Sequence, residues 1–170
     1  QLGYPTIPEN NDCAEAITVV DGVTPVTNLG ATTDGPDEPE MCDFNGYTHI
    51  ESDVWYIYTA TCTGEATVDL CNSDYDSKVA IYAGGCPSGP NEAIACDDNS
   101  CGDEGAIVSF PVQQSESYWV RVGGYEGATG TALMMIECEP ESECPADFDG
   151  DGDVDTADLL FLLSAWGTPD

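Results

Sequence analysis

Basic residues are almost absent from this sequence. Lysine and arginine together contribute two of 170 residues, Lys78 and Arg121, against 33 aspartates and glutamates, which gives a formal net charge of −31. Nucleic acids and anionic lipid surfaces attract proteins mainly through basic side chains, so neither is expected as a partner. A surface this acidic is instead expected to attract divalent cations, which would offset the repulsion between its carboxylates.

The motifs of common catalytic sites are also missing. His49 is the only histidine, and the chain has no GxSxG turn, no HExxH motif and no glycine-rich phosphate loop. Two carboxylates are enough to hydrolyse a glycosidic bond, but no pattern of aromatic residues marks a cleft for a sugar chain. We therefore predict that the protein is not an enzyme.

Long apolar runs are lacking as well. No run of about 18 apolar residues occurs, which argues against membrane insertion, and the N-terminus does not have the pattern of a signal peptide. Nine cysteines without a CxxC pair favour disulfides over a metal site and indicate an oxidising compartment. We expect a secreted, extracellular protein whose mature form begins at Gln1.

Cysteine spacing leaves the disulfide pattern open, because eight paired cysteines allow on the order of 100 connectivities. Cys62 and Cys71 flank a predicted hairpin and are the first pair that we expect. Cys86, Cys96 and Cys101 cluster around one acidic loop. Since the number of cysteines is odd, one thiol is left free or is joined to another molecule.

Short β-rich runs alternate with turn residues over most of the chain. The clearest runs are residues 17–20, 53–60, 66–70, 78–84, 106–112, 117–124 and 131–137. Because strand follows strand with no helix between them, we predict an all-β fold, an antiparallel β-sandwich or jelly roll stapled by disulfides. In the run 53–60, Val54, Tyr56 and Tyr58 share one face, and Trp55 and Ile57 share the other.

These runs divide the chain into four segments. Residues 1–12 contain two prolines and no helical periodicity, and they are predicted to form an extended N-terminal arm. Residues 13–138 form the sandwich, and residues 139–146 form an acidic linker that contains proline. Residues 147–170 form an EF-hand-like calcium loop and a short helix.

Aspartates are spaced in this C-terminal segment like calcium ligands. A twelve-residue calcium loop supplies oxygens from positions 1, 3, 5, 7, 9 and 12, with glycine at position 6 and a backbone carbonyl at position 7. Counted from residue 147, position 6 is Gly152, and the predicted ligands of Ca²⁺ are Asp147, Asp149, Asp151, Asp153, Asp155 and Asp158. A solvated acidic linker would explain the charge but not this spacing.

An apolar helix follows the calcium loop. Leu159, Leu162, Leu163 and Trp166 form one face of it, and Gly167 ends it. A loop with a single helix is too small to cover this face. The face is therefore expected to dock against the sandwich, a second copy of the chain or another protein.

Two resemblances accompany these patterns. Residues 147–167 resemble one repeat of a type I dockerin, which implies calcium binding by the six aspartates; dockerins usually bind cohesin modules with two such repeats. Residues 12–138 resemble the β-sandwich modules related to the pre-peptidase C-terminal (PPC) domain of secreted bacterial proteins. Segments that carry this second resemblance include NDCAEA, SDVWYIYTATCTGEATVDLC, IACDDNSC and YWVRVGG. PPC-like modules aid attachment or assembly, which implies a non-catalytic role.

Two further features of the sandwich point to binding or structure. Acidic residues in and beside the loop CDDNSCGDE are candidate ligands of a second metal, with a solvent-exposed acidic turn as the alternative: Asp76, Asp97, Asp98 and Asp103. Arg121 is expected to lie on a strand and to pair with a carboxylate.

Two functions remain open at this point. The first is a calcium-stabilised structural protein that self-associates into a homo-oligomer, filament or matrix through its N-terminal arm and C-terminal helix, since an extended arm can add a strand to an open sheet edge. The second is a non-catalytic binding or attachment module for a polysaccharide or another extracellular protein, such as a cohesin-like scaffold. Tyr47, Trp119 and Tyr125 are the aromatic residues that would stack on a sugar.

Overall fold

The computed structural model describes residues 6–102, 104–141, 148 and 155–166. The chain divides into two compact units, residues 1–140 and residues 141–170. The strands of the first unit and the helix of the second are β1 Ile17–Val19, β2 Gly22–Thr27, β3 Glu51–Thr59, β4 Gly64–Asp69, β5 Ser77–Ala83, β6 Ala93–Asp97, β7 Ile107–Val112, β8 Ser117–Gly124, β9 Thr131–Pro140 and α1 Thr156–Trp166.

The strands form two sheets, with the orders β1-β3-β8-β5-β6 and β2-β9-β4-β7. Neighbouring strands are antiparallel, as predicted, except that β1 pairs with β3 in parallel and places Ile17 opposite Tyr56. Parallel strands need a long connection between them. Here the chain passes through β2 in the other sheet and then through residues 28–50 before it returns as β3, which provides that connection.

Each of the seven predicted runs overlaps a strand, but β2 and β6 were not among the predictions. The sequence of β2, GVTPVT, contains Pro25, which cannot donate a backbone hydrogen bond and therefore argues against a strand. The structure accommodates Pro25 because β2 lies at the edge of its sheet. β6 has five residues, too few for its alternation to be distinctive.

Two hydrophobic clusters lie on opposite faces of the first sheet. The larger contains residues of both sheets, such as Val54 and Met134, and it forms the core of the sandwich. The smaller contains Trp55 and Tyr82, together with Ile50 from the connection 28–50. Because successive side chains of a strand point to opposite faces, Val54 and Trp55 enter different clusters, as the alternation predicted.

The last residues of the predicted N-terminal arm belong to the sandwich. The backbone N–H of Trp55 donates to the carbonyl oxygen of Asn10 at 2.9 Å, and Asn10 Nδ2 donates to the carbonyl of Trp55 at 3.0 Å. The side chain of Asn11 accepts the N–H of Thr32 at 2.7 Å. Both asparagines are buried. The body of the sandwich therefore begins at Asn10, three residues before the predicted boundary.

Four disulfides join eight of the nine cysteines, in the pairs Cys13–Cys86, Cys42–Cys96, Cys62–Cys138 and Cys71–Cys101. The expected pair of Cys62 with Cys71 is therefore wrong. These residues flank a single six-residue strand, β4, and not a hairpin. A strand of that length separates its ends by roughly 20 Å, too far for a disulfide. Cys144 lies outside the described residues.

We expect the Cys62–Cys138 disulfide to make a large contribution to stability. Its partners are 76 residues apart in sequence, and closing a loop of that length stabilises a fold by about 4 kcal/mol through the entropy of the unfolded chain. Replacing both cysteines by serine should lower the free energy of unfolding in urea by about this amount. As a control, Cys144→Ser should leave that free energy unchanged. Equal unfolding midpoints for the double variant and the parent would contradict the prediction.

Candidate metal sites

Two of the six predicted calcium ligands lie within the described residues, at the start of α1. Asp158 is only 3% exposed. Its Oδ1 accepts the backbone N–H of Phe148 at 2.6 Å, and its Oδ2 accepts that of Asp155 at 2.7 Å. Asp155 Oδ1 in turn accepts the N–H of Ala157 at 2.6 Å. The other predicted ligands lie outside the described residues: Asp147, Asp149, Asp151 and Asp153.

These contacts form a capping box at the N-terminus of α1. Asp155 caps the helix, and Asp158, three residues later, reaches back to the N–H of Asp155. A carboxylate oxygen can accept more than one hydrogen bond or cation contact. A buried carboxylate with both oxygens oriented therefore suits position 12 of a calcium loop. The D-x-x-D spacing of Asp155 and Asp158 is the sequence pattern from which this cap could have been predicted.

Most of the large apolar side chains of α1 are exposed. Three residues of the predicted docking face, Leu159, Leu163 and Trp166, are 54%, 53% and 80% exposed, and Leu162 is partly buried. Leu160 and Phe161, beside that face, are exposed as well. Of the helices in the described residues, none has the length and apolar character needed to cross a membrane.

Three of the four residues predicted for a second metal site lie within the described residues. The carboxylate of Asp97 is hydrogen-bonded within the protein. It accepts hydrogen bonds from Ser100 N at 3.1 Å, Ser100 Oγ at 2.5 Å and Ile107 N at 2.8 Å, and these bonds hold the loop that follows β6. Asp76 and Asp98 do lie together, with their carboxyl groups within hydrogen-bonding reach. Asp103 lies outside the described residues.

Burial dominates the electrostatics of this carboxyl pair. Burial, reinforced by the charges of Asp76 and Asp97 and opposed by Lys78, raises the pKa of Asp98 to about 6. Burial and the carboxylate of Glu104 likewise raise the pKa of Asp76. Burial also lowers the pKa of Lys78, while the nearby carboxylates oppose that change.

A third acidic group does not form a metal site. A carboxylate oxygen of Asp69 lies within 4.8 Å of the sulfur atoms of Cys71 and Cys101. Those two sulfurs are joined in a disulfide, so neither is a thiolate that could bind a metal.

The aromatic residues considered for sugar stacking have other contacts. The rings of Tyr47 and Tyr125 pack against each other, with centroids 4.7 Å apart. Lys78 Nζ lies 5.3 Å and 5.6 Å from their centroids, in cation–π contact with both rings. Trp119 packs against the smaller hydrophobic cluster. The structure therefore does not assemble these three rings into one exposed platform.

Arg121 has the structural role expected of it. It is fully buried on β8, and its Nε donates to Asp53 Oδ2 at 2.5 Å. Its Nη groups donate to the carbonyls of Gly35, Pro36 and Ile50 at 2.9, 2.6 and 2.8 Å. A Cβ on Gly35 would lie 2.2 Å from Arg121 Cζ, so only glycine allows this approach of the backbone.

We expect Asp53→Asn to destabilise the protein by about 3–5 kcal/mol, because it leaves the charge of Arg121 buried without its partner. A matched control is available in Asp37, which pairs with His49 where both side chains are about half exposed. Asp37→Asn should cost about 0–1 kcal/mol. Urea unfolding of both variants measures the difference, and similar losses would argue against a central role for Arg121.

No protein-family model and no curated protein matches the chain. Among solved structures, it is similar to the pre-peptidase C-terminal domain of a collagenase from Bacillus anthracis, with a TM-score of 0.46, 8% identity, and coverage of 72% of this chain and 94% of that one. It is also similar to PliG, a periplasmic inhibitor of g-type lysozyme from Aeromonas hydrophila, with a TM-score of 0.40, 18% identity, and coverage of 74% and 95%.

Proposed function

We propose that the protein is an extracellular, non-catalytic structural protein, stabilised by calcium, whose copies associate through the C-terminal helix. The observation that carries the proposal is the exposed apolar surface of α1, where Leu159, Leu163 and Trp166 are each more than half exposed. The four disulfides support an oxidising, extracellular location.

Calcium binding in the C-terminal loop would fix the start of α1. The ligands would be the side chains of Asp147, Asp149, Asp151, Asp155 and Asp158, with the backbone carbonyl of Asp153. The ion would neutralise carboxylates that otherwise repel one another. Asp158 supports this assignment because it is a buried carboxylate whose two oxygens are held by the N–H groups of Phe148 and Asp155.

A second copy of the chain is the partner that we propose for α1. Burying each large apolar side chain is worth roughly 1.5–3 kcal/mol, and several on one short helix are enough to drive association. The sandwich offers a complementary surface at the edge of its second sheet, a groove of about 570 Å³ along β2 and β9. Its apolar lining includes Pro25, Val26, Ala132 and Leu133, and Leu133 is half exposed.

The N-terminal arm would provide a second connection. Since Asn10 and Asn11 are held by the sandwich, the connecting segment would be residues 1–9. Strand addition to an open sheet edge of a neighbouring copy gives affinity through backbone hydrogen bonds. β2 and β7 bound one sheet, and β1 and β6 bound the other.

Calcium should control association. We expect native protein to form oligomers or filaments in millimolar calcium and to dissociate in excess EDTA, because the loop carboxylates then repel one another and the start of α1 is released. Negative-stain micrographs and sedimentation velocity, with and without calcium, measure this. Asp151→Asn should require more calcium for assembly. Assemblies that persist unchanged in EDTA would refute the role of calcium.

The apolar face of α1 should be needed for the same assembly. We expect Leu159→Ser combined with Leu163→Ser to yield monomers, and Leu133→Ser in the groove to weaken association in the same direction. Val20, which is 67% exposed outside α1, provides a control, and Val20→Ser should assemble normally. If the double variant sediments like the parent while the parent is oligomeric, α1 is not the contact; if the parent is monomeric in calcium, self-association is refuted.

A further inference from the structure

Asp76 and Asp98 form a carboxyl pair that is not fully hydrogen-bonded by the residues that the structure describes. Asp98 is 2% exposed, and Asp76 is partly buried. The two carboxyl groups lie within hydrogen-bonding reach of each other. One oxygen of each, Oδ1, is buried and has no hydrogen-bond donor. Two neighbouring carboxylates in a buried setting need a shared proton or a bound cation to offset their charges.

Two other buried aspartates of the sandwich are hydrogen-bonded differently. Asp53 accepts hydrogen bonds from the backbone N–H groups of Asp34 and Gly35 and from Arg121. Asp97, adjacent in sequence to Asp98, accepts two hydrogen bonds from Ser100 of its own loop and one from Ile107 at the start of β7. Buried carboxylates are normally satisfied in this way, so the free oxygens of the pair point to a ligand that is not part of the chain.

The nearby lysine does not fill this role. Lys78 Nζ donates to the carbonyl oxygens of Cys42 and Tyr47, each at 3.2 Å. Neither Asp76 nor Asp98 is among its ion-pair partners in the described residues. The rings of Phe44, Tyr47 and Tyr125 lie around the same ammonium group.

Further carboxylates make the local field strongly negative. Glu104 and Glu126 are exposed, and both act on Asp76 as neighbouring negative charges. Together with the pair, they place four carboxylates opposite the single charge of Lys78. Carboxylate oxygens without nitrogen or sulfur ligands are the donors that a hard cation such as Ca²⁺ prefers.

We infer that Asp76 and Asp98 are the central ligands of a divalent-cation site in the sandwich, with calcium as the preferred ion and with Glu104 and Glu126 at its rim. This site is separate from the C-terminal loop and does not depend on the function proposed above. The ion would bridge the two carboxylates, and water would complete its coordination.

The sheet holds these ligands in place without the ion. Asp76 directly precedes β5 and Asp98 directly follows β6, and the pairing of Val79 with Asp97 brings these two strand ends together. The disulfide Cys42–Cys96 anchors β6 close to Asp98. Because both backbones are fixed by strand pairing, little ordering is needed for binding.

Calcium titration of the full-length chain at pH 7, by isothermal calorimetry after removal of bound metal, tests the inference. Four variants are compared with the parent: Asp98→Asn, Asp151→Asn, the two combined, and Glu137→Gln. Glu137 is exposed on β9 and controls for the loss of one negative charge. Circular dichroism confirms that each variant is folded.

We expect Asp151→Asn to retain one calcium-binding event. In the combined variant this event should be lost or its affinity for calcium reduced at least about tenfold, as is typical when a metal site loses a contributing group. Asp98→Asn alone should lose the same event, and Glu137→Gln should bind like the parent. Persistence of that event in the combined variant, or no calcium binding by Asp151→Asn, would overturn the inference and favour a shared proton. If instead Asp151→Asn binds calcium like the parent, the C-terminal loop is not a calcium site, and the site in the sandwich is judged by Asp98→Asn alone.

Discussion

Unbalanced negative charge is the constraint on which the rest of this structure depends. The chain has 33 acidic residues and two basic ones, and both basic side chains, Lys78 and Arg121, are fully buried. No lysine or arginine is therefore left on the surface. Like charges at such density oppose a compact state, so the fold must be stabilised by means other than surface ion pairs.

The two buried cations act instead as internal anchors. Arg121 lies at the centre of the five-stranded sheet and binds Asp53 and three backbone carbonyls. All three of those carbonyls, of Gly35, Pro36 and Ile50, belong to the long connection between β2 and β3. Lys78 holds the same connection through the carbonyls of Cys42 and Tyr47. The connection covers the outer cluster around Trp55, so the few positive charges are used where a segment without regular structure has to be fixed.

Disulfides stabilise this arrangement, and the proposed cations would do so in a different way. Each disulfide stabilises the fold by limiting the unfolded chain, whatever the surface charge. Cation binding would reduce the repulsion itself, and the two proposed sites lie in different units of the chain. The C-terminal site would prepare a helix for contact with another copy, whereas the site at Asp76 and Asp98 would stabilise the loops of the sandwich. An acidic protein of this kind would respond to the calcium concentration of its surroundings both in stability and in association.

The sequence by itself determined the features that depend on local periodicity and composition. Alternation in the run 53–60 correctly placed Val54 and Trp55 on opposite faces, the apolar spacing after Asp158 predicted α1, and nine cysteines indicated disulfides. The edge strand β2 was not predicted because Pro25 argues against a strand in its sequence. The parallel pairing of β1 with β3 was not predicted because strand pairing across a long connection leaves no local pattern in the sequence. The calcium loop stays a prediction from the spacing of the aspartates.

Only the tertiary structure decided which distant residues meet. It paired Cys62 with Cys138 because β4 lies beside β9, and it separated Asp97 from Asp98 because neighbours in an extended chain point in opposite directions. One of these carboxylates then receives hydrogen bonds from its own loop, and the other faces Asp76. Sequence spacing treated both aspartates as equivalent ligands, since burial and hydrogen-bond satisfaction are properties of the packed chain.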